Sequence, residues 1–73
     1  MSNIFTPEYK FMLRRLIEAR SALGETQSQV AEKLGKPQSY VSKCESGERR
    51  VDVTELQRFA KIYNKPLEYF IKQ

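Results

Sequence analysis

Apolar residues recur along this chain at helical spacings, in short bursts separated by glycine, proline and Ser/Thr/Asp capping signals. Leu13, Leu16, Ile17 and Leu23 share one such stripe, with Arg14, Arg15 and Glu18 opposite. A first helix is therefore expected from Thr6-Pro7 to Gly24. Thr6 suits the N-cap, Pro7 the first turn, Glu8 the positive end of the dipole and Gly24 a left-handed terminus. Thr26-Gln27-Ser28-Gln29 has the form of a capping box and opens a second helix whose stripe is Val30, Ala31 and Leu34, ending at Gly35. Pro37 can open a third, with Val41 and Cys44 inward and Gly47 as its stop. Asp52-Val53-Thr54-Glu55 is a second capping box, ahead of Leu56, Phe59, Ala60, Ile62 and Tyr63. Asn64 stops that helix, and Pro66 starts a terminal turn carrying Leu67, Phe70 and Ile71. Five helices joined by short turns are predicted, and no run alternates with period two as a strand would.

Composition narrows the function classes. The 73 residues include 13 Lys plus Arg, 9 Asp plus Glu and no histidine, for a net charge of +4. One domain, 1–73 with its core at 7–71, is expected from that length. A single cysteine makes no internal disulfide, and without a Cys/His cluster no zinc site or other cofactor is expected. Lacking the commonest general base and any Gly-rich phosphate loop, the chain does not read as an enzyme. The longest apolar runs are three residues, Phe11–Leu13 and Tyr69–Ile71, so neither a membrane span nor a signal peptide is expected. A reducing, cytoplasmic setting follows as the expectation.

The informative unit runs from Thr26 to Gly47. Two helices of about two turns each bury little alone. They make sense as a helix-turn-helix whose second helix is presented outward. Ala31 is small enough to let the pair approach, and Gly35 permits the bend between them. The set Gln27-x3-Ala31-x3-Gly35-x5-Val41-x2-Cys44-Glu45-x-Gly47 resembles the phage-repressor (Cro/XRE) helix-turn-helix family, with likeness from about Leu16 to Phe70. The resemblance implies an all-α, five-helix, lambda-repressor-like domain that binds operator DNA, usually as a homodimer. It also implies that Glu45 pairs with Arg20 of the first helix as a structural ion pair. Two positions depart from the family pattern: Cys44, where Ile or Leu is commoner, and Pro37, in place of a Ser/Thr cap.

Residue geometry points the same way. With Gln38 at zero on a helical wheel, Ser42, Ser46, Ser39 and Lys43 fall at roughly 40°, 80°, 100° and 140°. Val41 and Cys44 fall near 300° and 240°, on the other side. The recognition helix, about 37–46, thus shows Gln38, Ser39, Ser42 and Lys43 as candidate base readers. Gln pairs bidentately with adenine, Lys donates to guanine and Ser serves either. A polar face of this kind also fits any solvated helix, so the flanking architecture has to weigh in. Tyr40 and Glu45 sit at the borders; Tyr40 either reaches the DNA or covers the junction of helices 2 and 3.

Charge placement supplies the flank. Residues 36–50 hold four cations, Lys36, Lys43, Arg49 and Arg50, and two anions, a net +2 that becomes +3 if Glu45 is neutralised internally. Gln27, Lys36, Tyr40, Arg49 and Arg50 are the candidate phosphate contacts, Gln27 through its amide and the helix N-terminus. Lys10 and Arg14 extend that strip or simply face solvent. Cys44 reads as a buried core thiol. The aromatic set Phe59, Tyr63, Tyr69 and Phe70 reads as core, with Tyr69, Phe70 and Ile71 a candidate dimer patch. The expected function is a sequence-specific double-stranded DNA-binding regulator on a pseudo-palindromic operator. The alternative is a helix-turn-helix module for a protein partner, such as an antitoxin.

Overall fold

A computed structural model of the chain describes residues 5–73. Residues 1–4, part of the expected 1–73 domain, lie outside the described residues. Four α-helices, α1 (Pro7–Leu23), α2 (Gln27–Leu34), α3 (Gln38–Ser46) and α4 (Val53–Tyr63), lead to a terminal 3₁₀ turn at Leu67–Phe70. All described regular structure is helical.

Local chemistry explains the boundaries. The Thr6 hydroxyl accepts the Tyr9 N–H, and Thr26 and Asp52 each close a full capping box with Gln29 and Glu55. Gly24, Gly35, Gly47 and Asn64 take left-handed conformations and end their helices. Pro37 is the N-cap of α3 and not its first residue; its backbone is extended and it offers no side-chain cap. The fifth predicted helix is only one 3₁₀ turn, because the backbone returns to an extended conformation at Ile71.

All four α-helices and the 3₁₀ turn converge on a core in which Leu16, Val30, Val41, Cys44, Phe59 and Phe70 are fully buried. Phe59 stacks on Tyr63 and Tyr40. The buried stripe of α1 is Met12, Leu16 and Ala19, whereas Ile17 and Leu23 are exposed. Both stripes share Leu16; packing of the 3₁₀ turn and α3 against α1 selects Met12 and Ala19 beside it over Ile17 and Leu23, with Leu13 half-buried against the core. Phe70, expected near a surface patch, is instead fully buried, because the 3₁₀ turn swings it inward; Tyr69 is half-buried and Ile71 exposed.

Gly47 sits where α3 turns into the 47–51 loop, at φ +87°. A Cβ there would stand 2.6 Å from Phe5 Cζ and 3.2 Å from Leu13 Cδ1, whereas one on Gly24 meets nothing within 4 Å. Gly24→Ala should therefore cost only the left-handed backbone penalty, ~1–2 kcal/mol, and Gly47→Ala should add a crowding penalty of ~1 kcal/mol or more. Urea denaturation of both variants checks this; equal losses would refute the crowding.

Candidate nucleic-acid interface

The third helix separates its two faces as an amphipathic segment of nine residues must. Val41 and Cys44 are fully buried, while Gln38, Ser39, Lys43 and Ser46 are exposed and Ser42 is half-buried. Burial pushes the Cys44 thiol up, so it stays protonated and inert at neutral pH. The exposed face contains no acid, because Glu45, the one acid of α3, is 6% exposed.

Glu45 is held by three donors. Arg20 of α1 grips it bidentately, Nε to Oε2 at 2.7 Å and Nη2 to Oε1 at 3.0 Å. Its Nη1 reaches back to the Glu25 carbonyl at 3.0 Å, tying α1 to the loop that follows it. The hydrogen bond to Glu45 raises the Arg20 pKa above its ordinary value against the opposing effect of burial. Gln27 Nε2 donates to Glu45 Oε1 at 2.9 Å, and Gln27 Oε1 accepts from Gln38 Nε2 at 2.7 Å. A continuous chain thus runs Arg20–Glu45–Gln27–Gln38, from the scaffold to the first residue of α3. Gln27, a candidate phosphate contact, spends its amide on this chain. Its capping box uses the N–H groups of Thr26 and Gln29 and leaves those of Gln27 and Ser28 at the open end of α2.

The second cluster surrounds Tyr40. Its hydroxyl donates to Glu55 Oε2 at 2.9 Å, and Lys36 and Arg49 lie over its ring at 5.3 and 4.9 Å. Burial, then the Glu55 hydrogen bond, push the Tyr40 hydroxyl well up, so it is neutral at every physiological pH. Tyr40 was a candidate for direct phosphate contact; here its hydroxyl is turned into the protein and its ring supports two cations. Arg49 Nη1 also meets Glu55 Oε2 at 2.8 Å. Burial raises the Glu55 pKa, but hydrogen bonds from the Asp52 N–H, Tyr40 and Arg49 outweigh it and leave the carboxyl below its usual range.

Lys36, Lys43 and Arg50 are exposed and, among the described residues, form no ion pair. With Arg49 and Glu45 neutralised inside the chain, the 36–50 edge carries these three cations against Glu48, a net +2. Arg50 lies 4.4 Å over the ring of Tyr9, whose hydroxyl accepts the Val51 N–H at 2.9 Å. Sequence reasoning missed Tyr9 and Phe5, since a contact 42 residues away leaves no local pattern. The only available signal is two aromatics four apart at the start of α1.

Comparisons with known proteins agree with this geometry. Residues 16–70 match a family described as helix-turn-helix. A solved structure of an XRE-family like protein from Pseudomonas syringae pv. tomato str. DC3000 is similar at 45% identity, with a TM-score of 0.79 over 85% of this chain and 76% of that one. No curated protein matches.

Two outcomes are expected. Glu45→Ala strands a largely buried Arg20 and should cost ~3 kcal/mol or more in urea unfolding, while Arg20→Ala/Glu45→Ala together should cost clearly less than the summed single losses. Glu55 has a depressed folded pKa, so its contribution is complete above the ordinary glutamate range and fades as pH falls through the folded value. Glu55→Gln should flatten the acid side of the stability–pH curve; an unchanged slope would show that the carboxylate carries none of it.

Proposed function

Because the chain belongs to the helix-turn-helix family of the Cro/XRE type, a family of DNA-binding regulators, we propose that it regulates transcription by recognising a specific duplex sequence with α3 in the major groove. The observation that supports this most is the acid-free exposed face of α3, left clean because Glu45 is withdrawn into the scaffold. Gln38 keeps one amide hydrogen and its oxygen for adenine after donating to Gln27. Lys43 addresses guanine or a neighbouring acceptor, and Ser39 and Ser42 complete the reading face. Lys36 and Arg50 clamp phosphates, with Arg49 as a partly neutralised third cation. Gln27 contributes the open N-terminus of α2, and Tyr40 acts as the ring on which Lys36 and Arg49 rest.

A nine-residue helix reads few base pairs, so the proposal includes a homodimer on a pseudo-palindromic operator, with half-sites roughly 34 Å apart. No cofactor, metal or catalytic step is required, and the cytoplasm is the proposed site of action. Among the described residues no helix is long and apolar enough to cross a membrane. The protein-partner alternative leans on an exposed aromatic C-terminus, and the burial of Phe70 narrows that surface to Ile71 and the half-buried Tyr69.

Titration against the DNA upstream of its own gene, at several salt concentrations, tests the proposal. Three to five phosphate contacts per protomer predict a log–log salt slope of about −5 to −9 for the dimer. Gln38→Ala and Lys43→Ala should each relax preference at one base position by ~1–3 kcal/mol. Arg50→Ala should weaken all sequences alike, and Arg49→Ala should do so less. Binding that ignores salt, or equal losses from all four variants, would count against the assignment.

A further inference from the structure

Phe5 and Tyr9 belong to neither α3 nor the loop behind it, yet both bear on that loop. Their rings stack at 5.5 Å between centroids and 3° between planes. Phe5 covers the face of Gly47 on which a side chain would stand. Tyr9 accepts the Val51 N–H at 2.9 Å and carries the Arg50 guanidinium 4.4 Å above its ring. The loop is thus tied at its first residue, at its last and at Arg50 by one pair of aromatics.

We propose that Phe5 and Tyr9 are positioning residues of the DNA interface: an aromatic shelf that fixes the Gly47–Val51 turn and holds Arg50 ready for a phosphate. The proposal rests on the DNA-binding reading above. Its physical basis is that a ring face attracts a cation without neutralising it. Arg50 keeps its full charge and its N–H donors while losing the freedom of a long side chain. Arg49, paired with Glu55, is held by a partner that cancels its charge. Of the two arginines, the shelf assigns the phosphate clamp to Arg50.

The test compares wild type with Phe5→Ala, Tyr9→Phe, Tyr9→Leu, Arg50→Ala and Tyr9→Leu/Arg50→Ala, all at a temperature where each is folded. Tyr9→Leu should weaken operator binding about fivefold per half-site. It should also flatten the salt slope toward that of Arg50→Ala, a change of up to ~0.9 per protomer. Adding Arg50→Ala to it should cost little more. Tyr9→Phe keeps the ring and should keep the slope, while hydrogen exchange at the Val51 amide quickens. Phe5→Ala should lower affinity in the same direction as Tyr9→Leu. Independent, multiplying losses for Tyr9→Leu and Arg50→Ala would overturn the shelf, as would a lower melting temperature with a wild-type slope. If wild type binds no duplex, the regulator reading fails first. The shelf is then judged by the ring-current shift of the Arg50 Hδ protons, expected in wild type and Tyr9→Phe and lost in Tyr9→Leu; its absence in wild type overturns the shelf as well.

Discussion

A buried carboxylate on α3, the helix proposed to face DNA, organises this molecule. Glu45 is withdrawn from the surface proposed to meet phosphates, and desolvating it is costly unless donors surround it. Arg20 and Gln27 supply three hydrogen bonds, and their geometry does what apolar contacts at Val41 and Cys44 cannot. A greasy contact tolerates rotation of a short helix about its axis, whereas a bidentate guanidinium–carboxylate pair does not. Since α3 has only nine residues and starts at a proline without a side-chain cap, its orientation has to come from tertiary ties of this sort.

The same tie then governs the reading face. Through Gln27, the carboxylate that anchors α3 also orients Gln38, its first residue. Gln27 therefore works from behind the proposed interface, linking the scaffold to the first residue of α3. On the other flank Glu55 plays a comparable part for Tyr40 and Arg49. In both places an acid close to the proposed DNA surface is occupied by a cation of the chain itself. The edge is left positive at Lys36, Lys43 and Arg50 without a large overall charge.

Helix ends were legible because capping is local. Thr26 with Gln29, Asp52 with Glu55, and the glycines at 24, 35 and 47 announce their geometry within four residues of chain. The inward side of α3 was legible too, since Val41 and Cys44 stand opposite a wholly polar set. The inward side of α1 was legible only in part. Leu16 belongs to both the expected and the buried stripe and Leu13 packs beside it, but Met12 and Ala19 compete with Ile17 and Leu23 for the rest, and the positions of α3 and the 3₁₀ turn decide. The engagements of Gln27 and Tyr40 escaped for a related reason. A polar side chain near a proposed interface is as ready to bond inward as outward, and its partner 11 to 18 residues away is not encoded in spacing.

The two adjacent arginines show how differently one fold can hold a cation. An arginine loses ~2 kcal/mol of rotamer freedom when a contact orders it at the moment of binding. Ordering it beforehand moves that loss to folding, where other contacts in the chain offset it. An acid can do the ordering, as Glu55 does for Arg49, but then a phosphate has to compete with a carboxylate at 2.8 Å. An aromatic ring orders the side chain and leaves the charge in place, as Tyr9 does for Arg50. Holding the ring is then the remaining requirement, and the Val51 N–H at its hydroxyl and the Phe5 ring stacked on it meet that requirement. A domain with so small a core has few rigid surfaces to lend, and it places one of them directly beneath Arg50.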